Sequence, residues 1–480
     1  MLDRHDWVTP TLSGTAWLEK PALYYWQTIT AYKMFGVSDW AARLPSVIDA
    51  SAMAFALYWF LRRFRPGLAL DGALMLVSSA AIIGFARAAS TDMPLAAMFT
   101  IAMLCWWAWF EGGSRGFLAG FYVFLGFATL AKGPVAAFLA AAIIAIFAAT
   151  QRSWRTLIAS LWILGIVIFC VVALPWYVLV QLRNPQFFRV FILEHNLARF
   201  GTNMFHHPEP FWYYVPVTLL SWVPWVVFVV VAAIWASRKM RESGADALNT
   251  FLLIWIVTVV VFFSISTSKL PGYILPVIPP GVLVLANYLS ERFQTKAHAL
   301  LVILHAGISA ALIFAASTLP YTLLQHRVSW NSAETVPLMV ALVVGTGVVI
   351  LLFATGLRGL RIATLVPAVL IVAIAIRSGS APLNDQLSAR AVSNALQPVS
   401  LNNLPIAGVL ISRETEFGLQ FYRNQPIPRY ELGHAPSGEH LVVARAGFQK
   451  AFARDVPGRK IVFLRSFPEQ NLEFYYVGAR

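Results

Sequence analysis

Apolar runs and polar connections alternate along most of the chain. A hydrocarbon core about 30 Å thick is crossed by about 20 helical residues, and twelve apolar runs reach about that length. They cover approximately 44–61, 68–86, 93–110, 117–131, 134–150, 157–181, 211–235, 249–266, 271–289, 299–320, 336–355 and 362–378. Each is predicted to be a helix, because an open strand edge leaves backbone groups unsatisfied in lipid. The runs that meet at Ala131–Pro134 and at Thr267–Pro271 are joined by tight turns containing proline, where a helix stops. Past residue 380 the pattern changes. Short β-like runs at Ala407–Ser412, His440–Arg445 and Lys460–Arg465 interleave with helical patterns at Asp385–Leu396 and Glu416–Arg423. This predicts a membrane-embedded domain over 1–380 and a small α/β domain over 381–480. The latter has no P-loop, no dinucleotide-binding glycine pattern and no repeat, and is expected to serve as a packing element or lid.

Composition agrees with the pattern. Of 480 residues, 59% are hydrophobic and 12% charged, with a mean hydropathy of +0.68. Soluble domains carry roughly 25% charged residues, so an ordinary soluble enzyme and a disordered chain are both excluded. The formal charge of +14 would suggest nucleic acid in a soluble protein. Here it reads as a membrane topology signal. Cys105 and Cys170 both lie inside apolar runs and offer neither a disulfide framework nor zinc-type spacing.

Arg62, Arg63, Arg65, Arg115, Arg152, Arg155, Arg238, Lys239, Arg241, Arg292, Lys296, Arg358 and Arg361 all fall in every second connection. Those connections are assigned to the cytoplasm. The first 43 residues, the turns near 87–92, 131–134 and 267–270, the loops 182–210 and 321–335, and everything after about 380 then face outward. With the start outside and no helix ahead of it, either a short tail is translocated unaided or an upstream helix is missing from the sequence as given, and the second is the expectation.

A few cations fall on the outward side: Lys20, Arg87, Lys132, Arg199 and Lys269. Glu19, Asp92 and Glu194 accompany them. Separate snorkelling to the interface is the bland explanation. The alternative is convergence on one anion, since lysine acts as a point charge and arginine can bind phosphate bidentately. Their contexts are distinctive. They read Leu18-Glu-Lys-Pro-Ala-Leu-Tyr-Tyr-Trp26, Arg87-Ala-Ala-Ser-Thr-Asp-Met-Pro94, Ala131-Lys-Gly-Pro134, Glu194-His-Asn-Leu-Ala-Arg-Phe200 and Ser268-Lys-Leu-Pro-Gly-Tyr-Ile-Leu-Pro276.

In this order, and with the Asp6–Trp7 start, these segments resemble the lipid-carrier-dependent glycosyltransferases of the GT-C fold. Within that fold they resemble family 39, which holds protein O-mannosyltransferases and the lipid A aminoarabinose transferases. The likeness covers most of residues 1–290. It implies an α-helical polytopic bundle with an extracytoplasmic active site, and a sugar delivered on a polyprenyl phosphate. Transfer to an acceptor hydroxyl or phosphate, such as that of lipid A, proceeds with inversion. The resemblance implies Lys20 and Asp92 as catalytic, and Lys20, Lys132, Arg199, Lys269 and Tyr273 around the carrier phosphate. Glu19, Tyr24 and Tyr25 are expected to line the substrate, with an interfacial aromatic belt as the other reading of the tyrosines. Glu19 with His195 is a two-residue candidate for a divalent ion, against ordinary hydrogen-bonded residues; His206–His207 reads as an exposed polar loop.

The family pattern also implies an acidic residue in the first outer loop, a dozen or so residues ahead of the Asp-Trp pair, as the base that takes the acceptor's proton. Met1 stands five residues ahead of Asp6, so that acid is expected to be missing here along with the first helix. Three alternatives stay open: a protein O-mannosyltransferase acting on Ser or Thr, a permease, and a carrier-binding protein without transfer activity. The expected partners are the lipid-linked sugar, its acceptor and the bilayer, without nucleic acid, and the expected location is a bacterial inner membrane with the C-terminal domain periplasmic.

Overall fold

The computed structural model describes residues 1–198, 209–240, 246–292, 298–325, 332–396 and 404–479. A two-stranded hairpin, β1 (Thr11–Leu12) and β2 (Thr15–Ala16), precedes α1 (Leu23–Phe35) and α2 (Asp39–Phe64). Then come α3 (Ala69–Val77), α4 (Ala80–Ala86), α5 (Asp92–Phe110), α6 (Arg115–Lys132), α7 (Val135–Thr150), α8 (Trp154–Ser160) and α9 (Ile163–Arg183). A π-helical stretch, Phe188–Ala198, leads on towards α10 (Tyr214–Ser221), α11 (Val226–Met240) and α12 (Ala247–Ile265). A 3₁₀ stretch, Pro271–Val277, opens α13 (Ile278–Arg292), followed by α14 (Ala299–Gln325), α15 (Ser332–Thr355) and α16 (Leu360–Leu387).

All twelve apolar runs are helical. Among the described residues six helices are long and apolar enough to cross a membrane, or eight if each of two bent pairs is one span. The bends explain why a single apolar run gives two helices. The pair spanning Pro66–Val77 and Ala80–Ala86 turns by 61°, and the pair spanning Phe211–Ser221 and Val226–Met240 by 114°. The two breaks dock on each other. The Ala80 amide donates to Val223 O at 2.8 Å, and the Trp225 indole donates to Ser78 Oγ at 2.8 Å. Backbone groups freed by each break are thus satisfied inside the protein, as lipid requires. Gly281 is needed beside this knot, because a Cβ there would lie 2.4 Å from the Trp222 ring.

α1 was not legible as an element, since its Tyr-Tyr-Trp start reads as an aromatic belt. It is pinned to α2 by Tyr24, whose hydroxyl donates to Ala42 O at 2.7 Å, and by Gln27, whose amide donates to both Asp49 oxygens at 3.0 and 3.1 Å.

The described chain divides into two compact units, Met1–Ala310 with Val343–Ala368, and Ala311–Leu342 with Val369–Arg480. In the first unit one end of the bundle is closed by ion pairs. Arg65 meets Asp246 at 3.4 Å, Lys239 meets Glu291 at 2.6 Å and Arg361 meets Asp71 at 3.1 Å. All three cations come from the connections rich in Lys and Arg. The opposite end, where α5 begins and α6 and α12 finish, holds Asp92 and Lys132.

The second unit contains a four-stranded sheet: β3 (Ile406–Val409), β4 (His440–Arg445), β5 (Ile461–Phe467) and β6 (Leu472–Val477). The order is β3-β4-β6-β5, with β3 and β4 parallel and the other pairs antiparallel. α17 (Ala389–Leu396) and α18 (Arg413–Arg423) flank it, and a short α19 (Gln449–Phe452) precedes β5. Leu441 and Val443 pack on one face with Leu396, Leu419 and Phe474. Val442 and Ala444 pack on the other with Tyr430, Phe452 and Tyr475. Burial on both faces explains why β4 reads as an unbroken apolar run.

Candidate active site

α5 and α6 form an antiparallel hairpin, so the start of one faces the end of the other. Asp92 occupies the first turn of α5 and Lys132 the last turn of α6. A carboxylate at a helix N-terminus and an ammonium at a C-terminus are each favoured by the backbone dipoles. The two are hydrogen-bonded as an ion pair, with side chains only 12% (Lys132) and 19% (Asp92) exposed. Gly133 ends α6 at φ +107°, a conformation that side chains rarely adopt, and its amide bonds Thr129 O at 2.8 Å.

Tyr273 completes the cluster. The Lys132 ammonium lies 4.4 Å from its ring centroid, within cation–π range. Gly272 lets the chain come this close. A Cβ there would sit 2.7 Å from Asp92 Cγ and 2.8 Å from Phe85. Lys132 is therefore held between a carboxylate and an aromatic face at reduced solvent exposure, where its charge acts more strongly than in water.

Lys269 stands in the turn that leads from α12 into the 3₁₀ stretch carrying Tyr273. Its side chain donates to Ser266 O at 2.5 Å and to Glu209 O at 3.0 Å. Burial pulls its ammonium below the usual lysine range, with the Glu209 carboxylate opposing that shift. Ser268 Oγ is buried next to it, without a hydrogen-bond partner among the described residues.

A second group gathers around the segment before α1. His195, on the π-helical stretch, places Nε2 3.7 Å from Glu19 Oε1. Among the described residues no cluster of three or more His, Cys, Asp or Glu could hold a metal ion. Two ligands fall short of the three or four that hold a zinc ion; the pair is an acid–imidazole contact. Lys20 is half-buried in the bend between Glu19 and Pro21. Burial pushes the Tyr25 phenol above its ordinary range, and the Glu19 carboxylate adds to this. Tyr25 is thus a neutral hydroxyl, while the Tyr24 hydroxyl is committed to Ala42 O. Arg199 and the His206–His207 pair lie outside the described residues.

The two groups are linked through Tyr177 on α9. Its hydroxyl donates to Thr129 O at 2.9 Å, one turn before Lys132, and its ring lies 6.0 Å from Phe191, one turn before His195. Asp6 organises the loop ahead of both groups. It accepts from the amides of Val8 and Thr9 and pairs with Arg183 at 2.9 Å. Burial would raise its pKa, but these donors and Arg4 outweigh it and hold the carboxyl low. Asp6 is therefore a loop anchor. Sequence reasoning missed Gly272 and Tyr214, whose roles appear only as contacts between segments distant in sequence.

Comparison with known proteins shows what the chain is similar to and supports the fold. Residues 1–191 match the family model described as dolichyl-phosphate-mannose-protein mannosyltransferase. The undecaprenyl phosphate-alpha-4-amino-4-deoxy-L-arabinose arabinosyl transferase of Edwardsiella ictaluri is 30% identical over 299 residues, covering 61% of this chain and 53% of that protein. The protein of the same description from Pseudomonas aeruginosa is 28% identical over 302 residues, covering 61% and 54%. The chain thus spans about half the length of these relatives. The crystal structure of ArnT from Cupriavidus metallidurans bound to undecaprenyl phosphate superposes with a TM-score of 0.81 at 21% identity, covering 99% of this chain and 91% of that one. The likeness to the GT-C lipid-carrier glycosyltransferases read from the sequence is borne out, as is the helical polytopic fold.

Proposed function

We propose that this chain, a multi-pass membrane protein of the GT-C fold, transfers a sugar from a polyprenyl-phosphate donor to an extracytoplasmic acceptor such as lipid A. One observation carries the reading. Asp92, Lys132 and Tyr273 converge at one end of the bundle, with a lysine held by oppositely directed helix ends beside a glycine that admits close approach. In the reaction an acceptor oxygen bonds to the anomeric carbon as the bond from that carbon to the carrier phosphate oxygen breaks. The electron pair leaves on the phosphate. Lys132, Lys20, Arg199 and Lys269 supply positive charge where that negative charge develops, which lowers the barrier more than it tightens substrate binding. Asp92 orients Lys132 and is the carboxylate placed to receive a proton from a hydroxyl acceptor. A phosphate acceptor needs no proton removed. Tyr25 and Glu19 line the donor side.

The names of the relatives favour an aminopentose and undecaprenyl phosphate. The match of residues 1–191 to a protein mannosyltransferase family favours a second reading, with Ser or Thr as acceptor. The ion-paired end with Arg65, Lys239 and Arg361 is assigned to the cytoplasm, which puts the site on the outer side of the inner membrane. Residues 381–480 are assigned as a periplasmic α/β domain. The test reconstitutes the protein in lipid nanodiscs with undecaprenyl-phosphate aminoarabinose and either lipid A or a Ser/Thr peptide. Sugar on lipid A is the expected product. Sugar on the peptide alone would replace the first acceptor by the second, and no transfer from this or a mannosyl donor would overturn the reading.

A further inference from the structure

The turn that carries Tyr273 is held from outside by one hydroxyl. Tyr214, fully buried at the start of α10, places Oη 3.1 Å from both the nitrogen and the carbonyl oxygen of Leu270. Its O–H donates to the carbonyl and its oxygen accepts the amide hydrogen. Leu270 lies outside regular secondary structure, and Pro271 follows it. Without the hydroxyl the Leu270 amide loses this acceptor, whereas the Leu270 carbonyl keeps a second donor. Leu270 O also accepts the Tyr273 amide at 3.1 Å. The carbonyl that starts the 3₁₀ stretch is therefore the one that Tyr214 holds. Lys269 adds a second stitch between the same two segments by donating to Glu209 O. Ring contacts run parallel to these bonds, from Tyr214 to Phe263 at 6.3 Å and from Phe263 to Tyr273 at 5.1 Å.

We infer that Tyr214 is a positioning residue: its hydroxyl fixes Leu270, and through Leu270 it fixes Gly272 and Tyr273, against which Asp92 and Lys132 rest. The inference deepens the proposed transferase reading and rests on it for its kinetic consequence. A turn free to shift moves Tyr273 away from Lys132 and lets the ammonium swing off the line of the departing phosphate. Small misplacements of this kind are costly in the transition state and cheap in the ground state.

The test is Tyr214→Phe, which keeps the ring and its packing and removes only the hydroxyl. Two measurements are made on the full chain in nanodiscs: deuterium exchange over residues 266–275, and initial rates with the polyprenyl-phosphate donor. The expected result is faster exchange confined to that segment, and kcat lowered by roughly tenfold or more. The donor KM should stay within about threefold and the melting temperature near the parent's. Unchanged exchange at 266–275, or unchanged kcat, overturns the inference. So does a rate loss that tracks loss of folded protein. If the parent protein transfers no sugar, the transferase reading fails by itself, and the exchange measurement still decides whether the hydroxyl holds the turn.

Discussion

Lys132→Met lowers turnover by about 10²–10³-fold and leaves the protein folded. The size follows from the role proposed for Lys132: removing one preorganised donor aimed at developing negative charge costs about that much in other enzymes. The lysine is nearly buried and held in place by Asp92 and the Tyr273 ring, so in the proposed reaction no reorganisation is needed as the phosphate departs. Methionine keeps the length and the packing on the ring. It also leaves the Asp92 carboxylate without this counterion, which destabilises the fold by about 1–3 kcal/mol. Adding Asp92→Asn to Lys132→Met should therefore restore thermal stability without restoring rate. Initial rates and melting curves for the two single variants and the double variant separate these effects. The stability terms couple because the residues touch. A Lys132→Met protein with undiminished kcat would remove Lys132 from the chemistry.

Lys20→Ala produces the second large loss, about 10²-fold in kcat/KM, and Lys20→Arg recovers part of it. Lys20 sits in a half-buried bend between Glu19, which contacts His195, and Pro21, which precedes α1. A point charge on a half-buried bend suits a phosphate headgroup. Arginine keeps the charge with a different reach, so partial recovery marks an electrostatic role. Equal loss in Lys20→Ala and Lys20→Arg, with unchanged binding of undecaprenyl phosphate, would assign Lys20 to loop structure instead.

Much of this was legible in the sequence, and the exceptions share a cause. Apolar runs identify helices because lipid leaves the backbone no other partner, and each run is helical. The meeting of Lys132 with Asp92 follows from the α5–α6 hairpin, whose polar turn and proline-marked end are both visible. The 61° and 114° bends were not visible, since hydropathy is continuous across Ser78-Ser79 and Trp222-Pro224 while the backbone is not. α1 was hidden because its aromatic start resembles a membrane-interface belt. In the C-terminal part, β3, β4 and β5 coincide closely with the apolar runs, whereas β6 was missed because Leu472–Val477 follows β5 after a short turn and adds no new pattern. Tyr214 lies in the aromatic stretch Phe211-Trp-Tyr-Tyr214, where nothing local distinguishes one hydroxyl from the next. Its role exists only once Leu270, 56 positions away, is brought against it.

Cations from separate stretches of chain are proposed to share one lipid-linked phosphate at the Asp92–Lys132 end of the bundle. The most direct measurement is an experimental structure of the protein in nanodiscs with undecaprenyl phosphate bound. Phosphate oxygens are expected within about 4 Å of the Lys132 and Lys20 ammonium groups, the reach of a charge-assisted hydrogen bond or ion pair. A phosphate seated at the Arg65–Asp246 end, or contacting neither lysine, would contradict it.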